Sequence, residues 1–143
     1  PESNEEHIRS AMDLIEDLGG HKVGLLGVTF KSNTDDLRNS PFLELARRML
    51  DRGLEVRVFD PDFNPNDLIG ANLAFLSEQL PSFEQVLVSS PDEVMAFGDI
   101  IVLAKTDEPL VDAALKLGPA QHLVDLAGMS VRPVDGSYVG IGW

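Results

Sequence analysis

A chain of 143 residues is long enough for one domain with a substantial core, and its 43% apolar and 24% charged residues are those of an ordinary globular protein. It has no run of about 18 apolar residues that could span a membrane, and no cysteine, which excludes disulfides, thiolate metal sites and a cysteine nucleophile within the chain. Acidic residues number 24 against 11 Lys and Arg, a net charge of −13 that repels nucleic acid and anionic membrane, so a phosphate-bearing ligand has to be held by a few local cations.

The chain opens at Pro1 on helix-like sequence with no signal peptide, and reads as a piece of a longer, cytoplasmic protein. Ser3 to Leu18 is an amphipathic helix: Ser3 and Glu6 form a capping box, and Ile8, Ala11, Met12 and Ile15 share one face. Two readings of it stand, an ordinary packing helix or the end of a longer one leading to a further domain. Val23 to Val28 is apolar without alternation, as a strand covered on both faces reads. A polar loop of about a dozen residues follows, longer than usual for a strand-to-helix connection. Ser40 as N-cap and Pro41 at the first helical position then open a helix to Arg52, with Phe42, Leu45, Ala46, Met49 and Leu50 as its apolar stripe. Arg47, Arg48 and Arg52 read as solvated surface.

Glu55 to Phe59 is the second strand, closed by Asp60-Pro61, and completes a βαβ unit. An acid in the position of Asp60 can bind a ribose hydroxyl in dinucleotide folds. The first loop lacks G-x-G-x-x-G, however, with Gly24 and Gly27 read inside the strand, so Asp60 is taken as a turn residue. Further on, Ala71 to Leu80 suggests a short helix, Val86 to Val88 a short strand, and Ser90 to Phe97 a capped helix. Asp99 to Ala104 is a second fully apolar strand, with Lys105 to Glu108 at its exit. A helix from Pro109 to Leu117, a strand from His122 to Leu126 and a short strand around Tyr138 to Ile141 complete the chain. Strands alternating with helices predict a doubly wound, mostly parallel α/β sheet, Rossmann-like but without the glycine fingerprint.

No catalytic constellation and no metal-ligand spacing stand out; His7, His21 and His122 are scattered and read as structural. The chemistry is concentrated in the loop after the first strand. Lys31 is a point charge suited to phosphate or carboxylate, Arg38 a planar fork suited to pyrophosphate or carboxylate, and Asp35 and Asp36 pin the loop through backbone N–H groups or Arg38. Such loops at strand C-termini are ligand sites in open α/β sheets. The residues alone leave open an anion- or nucleotide-binding loop and a structural loop with internal ion pairs.

The run from Gly24 to Pro41, with Phe30-Lys31, Thr34-Asp35-Asp36, Arg38 and Ser40-Pro41 in order, closely resembles the C-terminal domain of the UDP-glucose/GDP-mannose dehydrogenase family, as does Gly53-x-x-Val56-x-x-Phe59-Asp60-Pro61. The resemblance implies a nucleotide-sugar 6-dehydrogenase that uses NAD twice per turnover, with NAD and the nucleophilic cysteine held mainly by an N-terminal part outside this chain. Residues 1–20 would be the end of the connecting helix and 21–143 the nucleotide-sugar-binding domain. Phe30 and Lys31 would contact the nucleotide sugar, Arg38 would contact NAD, and Thr34, Asp35 and Asp36 would shape the loop. The full-length protein would be a homo-oligomer, a dimer or larger. Val124 to Gly128 and the ending Gly140 to Trp143 resemble the branch acting on GDP-mannose: Leu126 and Ala127 stand where UDP-glucose enzymes carry Gly and Arg. The resemblance leaves two other readings, a UDP-sugar dehydrogenase and a non-catalytic nucleotide-binding or oligomerisation module. The isolated chain, without a cysteine, is expected to be inactive.

Overall fold

The structure, a computed structural model, describes residues 2–29, 37, 40–63 and 70–143. Five strands, β1 (Lys22–Leu26), β2 (Glu55–Phe59), β3 (Ile100–Leu103), β4 (His122–Asp125) and β5 (Ser137–Gly140), form one sheet in the order β2-β1-β3-β4-β5, every pair parallel. The helices are α1 (Glu2–Leu18), α2 (Pro41–Asp51), α3 (Gly70–Gln79), α4 (Phe83–Val86), α5 (Pro91–Phe97) and α6 (Glu108–Ala114). Among the described residues no helix is long and apolar enough to cross a membrane.

Successive strand residues face opposite sides, so each apolar strand feeds two cores. Val23, Leu25, Ile100, Val102 and Val124 face a core completed by α1, α2, α3 and α4; Leu26, Ile101, Leu103 and Leu123 face a second one closed by α5 and α6. The expected doubly wound architecture is the one observed. The predicted stripe of α1 (Ile8, Ala11, Met12 and Ile15) lies in the first core, so this helix packs with the sheet unit. The arginines of α2 stay at the surface but are ion-paired: Arg48 bonds Glu5 and Glu44, Arg47 bonds Glu44 and Asp51, and Arg52 bonds Glu16.

Most element ends differ from the sequence reading by a residue or so, and a few differ by more or in kind. β1 stops at Leu26, two residues early, because Gly27 takes φ +105° and turns the chain out of the sheet. Val86 to Val88 is not a strand. The short α4 occupies its start, Ser90 caps α5 soon after, and the space between allows only one bridge, from Leu87 to Val58. α6 ends at Ala114 rather than Leu117. Gly24 lies within β1 and has a packing reason: a Cβ there would stand 2.5 Å from Val94 Cγ1 and 2.9 Å from the Val94 carbonyl oxygen. Its bare backbone lets α5 settle on the sheet.

Candidate functional site at the C-terminal edge of the sheet

Connections from β1 run to β2 on one side, whereas β3 pairs on the other, so the strand order reverses between β1 and β3. Crevices at such switch points, outside the strand C-termini, are the usual ligand sites of open α/β sheets. Here that crevice is bounded by Gly27 to Thr29 after β1, Asp60 after β2 and Lys105 after β3.

Asp60 organises this edge. Its Oδ2 accepts hydrogen bonds from the backbone N–H of Val28 (2.8 Å) and Thr29 (2.9 Å) and from the Thr29 hydroxyl (2.9 Å), and its Oδ1 from the N–H of Asp62 at 2.8 Å. Lys105 reaches across from β3. Its ammonium donates to Thr29 Oγ1 (2.7 Å), Asp60 Oδ1 (3.0 Å) and Asp62 Oδ2 (2.9 Å), with an Asp107 oxygen at 3.8 Å. The Lys105 side chain is 4% exposed and that of Asp60 fully buried. Reading Asp60 as a turn residue was half of its role: it does close the turn into Asp62, and it also fixes the exit of β1. Lys105 lies at the expected edge, and its partners are ones that the sequence does not reveal. The signal in the sequence is opposite charges at the ends of two strands, the alternating β2 and the apolar β3, yet only the strand order shows that they can meet over β1.

These bonds bear on the cofactor. Dinucleotide folds grip a pyrophosphate with free N–H groups after the first strand and a ribose with the acid after the second. Here the N–H of Gly27 is taken by the Phe59 carbonyl at 2.8 Å, those of Val28 and Thr29 by Asp60, and Asp60 itself is turned inward. The described part of this crevice therefore does not fit a dinucleotide in the usual manner.

The far end of the loop is anchored as well. Ser40 caps α2 by accepting from the N–H of Leu43 (3.3 Å), and its hydroxyl donates to the Val28 carbonyl at 2.5 Å, tying the two ends of the loop together. Leu37 is fully buried in the first core. Phe30, Lys31, Thr34, Asp35, Asp36 and Arg38, the residues proposed from sequence for substrate, cofactor and loop shape, lie outside the described residues; Thr29, Leu37 and Ser40 frame them.

A second structured turn follows β4. Asp125 accepts from the N–H groups of Ala127 (2.9 Å), Gly128 (2.8 Å) and Met129 (2.9 Å) and from the Tyr138 hydroxyl at 2.5 Å. Burial pushes its carboxyl up, but the Tyr138 hydroxyl and the three N–H groups outweigh burial and hold it below the usual carboxylate range. Beside this turn Thr106, Glu108, Val111, Asp112, Gly128, Met129 and Ser130 line an open cleft of about 380 Å³. Among the described residues no group of three or more His, Cys, Asp or Glu is placed to hold a metal. The histidines share no site: His7 packs against Trp143 and His122 Nδ1 meets the Ser137 hydroxyl.

Residues 24–129 match the family described as the UDP-glucose/GDP-mannose dehydrogenase family, UDP binding domain. The GDP-mannose 6-dehydrogenase of Pseudomonas aeruginosa is 40% identical over 141 residues, covering 99% of this chain and 32% of that protein. The crystal structure of a ternary complex of GDP-mannose dehydrogenase from the same organism superposes with a TM-score of 0.84 at 39% identity, covering 97% of this chain and 32% of that one. A UDP-glucose dehydrogenase from the archaeon Pyrobaculum islandicum is similar at 28% identity and a TM-score of 0.70, over 94% of this chain and 29% of that one. The chain thus spans about a third of the length of the curated relatives it matches. With the βαβ loop, β3 and β4 inside the matched segment, the chain belongs to the UDP-glucose/GDP-mannose dehydrogenase family.

Proposed function

We propose that the chain is the C-terminal domain of an NAD-dependent nucleotide-sugar 6-dehydrogenase that oxidises GDP-mannose to GDP-mannuronate. The observation that carries this reading is 39–40% identity and close superposition, over nearly the whole chain, with a GDP-mannose dehydrogenase. Converting a C6 alcohol to a carboxylate removes two hydrides, one to each of two NAD⁺, and takes an oxygen from water. This chain contributes no thiol to that chemistry. Its part is to bind and to close: Phe30 and Lys31 meet the nucleotide sugar, Arg38 reaches the NAD, and Thr34, Asp35 and Asp36 shape the loop between them. NAD is held mainly by an N-terminal domain, which accords with the Gly27, Val28 and Thr29 amides being taken up within the fold. The complete enzyme is a cytoplasmic homo-oligomer.

NADH formation by the full-length protein, offered GDP-mannose and UDP-glucose separately, tests the reading. Turnover of GDP-mannose alone is expected. Turnover of UDP-glucose alone keeps the family chemistry and removes the sugar assignment drawn from Leu126 and Ala127. No turnover with either overturns the proposal.

A further inference from the structure

We propose that the outer edge of β5 is a self-association surface, pairing antiparallel across a two-fold axis with β5 of a second copy of this chain. This names a surface for the homo-oligomer proposed above and does not depend on which substrate the enzyme takes.

The edge of a sheet is a row of unpaired N–H and C=O groups, which proteins blunt with charges, proline, bulges or a covering segment. The β2 edge is blunted in two of these ways. Glu55 and Arg57 lie along it, and Leu87 and Val88 cover it, the Val88 N–H bonding the Val58 carbonyl at 2.9 Å. The β5 edge has neither. The N–H groups of Ser137 and Ile141 bond the carbonyls of Gln121 and Asp125, so by alternation the backbone groups of Tyr138 and Gly140 point away from β4. Among the described residues no strand lies beyond β5 and no backbone group bonds these two. Gly136 to Trp143 carries no charge. Three of the four large apolar side chains exposed among the described residues stand just before or after this strand, Val131 (61% exposed), Val134 (96%) and Ile141 (37%).

Charge selects the occupant. With 24 acids against 11 Lys and Arg, two copies of this chain repel each other over most of their surface. From Leu126 to Trp143 the chain holds one acid, Asp135, and one cation, Arg132, so a second copy can approach here without net repulsion. A strongly acidic or basic partner finds little on this edge to pair with, whereas an uncharged edge is complementary to itself. A strand meeting its own copy across a two-fold axis runs antiparallel, and each outward N–H then finds a C=O. Two outward residues per copy give few hydrogen bonds. Most of the attraction therefore comes from burying the exposed valines and Ile141, and the association depends on concentration.

The test uses the full-length protein. Molar mass by light scattering is followed over a dilution series for wild type, Val134→Lys and Ile141→Lys. Leu73→Lys, the same charge at an exposed apolar position on α3, is the control. Hydrogen exchange of the Tyr138 and Gly140 amides is read at the same concentrations. Val134 is exposed enough that its replacement leaves the fold intact, which the melting midpoint checks. Wild type and Leu73→Lys are expected to fall to half their mass only on dilution, with exchange at the two amides speeding up as they do. Val134→Lys and Ile141→Lys are expected to have the half mass, and fast exchange, already at concentrations where wild type is whole. Equal masses for all four proteins overturn the surface and leave a homo-oligomer built elsewhere, as does a mass that Leu73→Lys lowers equally. A wild type that is monomeric throughout overturns both. Exchange that does not follow the mass also overturns the proposal, and slow exchange throughout marks an edge covered by the same polypeptide.

Discussion

At the scale of single residues, carboxylates do the organising on the C-terminal edge. Asp60 and Asp125 each close one turn by gathering backbone N–H groups, and each has a second partner from elsewhere in the chain, Lys105 beyond β3 for Asp60 and Tyr138 on the neighbouring β5 for Asp125. Asp125 is held below the usual carboxylate range. Its folded carboxyl titrates below an unfolded aspartate near 3.9, so the stabilisation is fully present above that value and is lost as pH falls through it toward the folded pKa. Tyr138→Phe removes one of the groups that hold the carboxyl down, and the phenol is itself pushed up by the same bond. The variant is expected to lose about 1–2 kcal/mol at neutral pH, with the gap to wild type narrowing below about pH 4. Urea unfolding at pH 7 and near pH 3 measures this, and an equal loss at both pH values would refute the charged bond.

Elements fit together here through bare backbone as much as through apolar faces. α5 rests on β1 at Gly24, where the Val94 carbonyl oxygen leaves no room for a methyl group. Because backbone cannot rotate away as a side-chain tip can, Gly24→Ala is expected to cost about 2 kcal/mol in urea unfolding, near the middle of the range for overpacked cores; a cost below about 0.5 kcal/mol, the ordinary range for surface changes, would show that α5 is free to shift. This contact also marks where sequence reading stopped. Ser40-Pro41 and Ser90-Pro91 announced α2 and α5 locally, since cap and proline act within one turn. The unbroken apolar runs announced β1 and β3 because both faces of those strands are covered. The path after the Gly27 turn was hidden: Asp60 takes the N–H groups of Val28 and Thr29 from 32 and 31 residues away. The Lys105 brace was hidden for the same reason, being 45 residues from Asp60 and 76 from Thr29. Of the candidate site, the sequence marked the loop and its cations, which no local rule could have connected to their anchors.

At the scale of the whole molecule, a chain with net charge −13 that turns its β1 amides inward is poorly equipped to hold a dinucleotide or a nucleotide sugar unaided. On the proposed function, Lys31 and Arg38 would supply the positive charge that such a ligand needs, together with an N-terminal domain. Two consequences separate this arrangement from a self-sufficient binding module. The chain alone should reduce no NAD⁺ with any nucleotide sugar, and measurable turnover by it would sink the division of labour between domains. In the full-length protein, Lys31→Ala should lower kcat/KM for GDP-mannose by roughly 10- to 100-fold, the size of one charge-assisted bond to phosphate or carboxylate, with KM for NAD⁺ nearly unchanged. Arg38→Ala should show the reverse pattern. If both substitutions weaken the same substrate, the loop serves one ligand only and the assignment of its two cations to different molecules is wrong. If neither moves either constant while the protein stays folded, the loop is structural, and the cleft beside the Asp125 turn becomes the place to look for the nucleotide sugar.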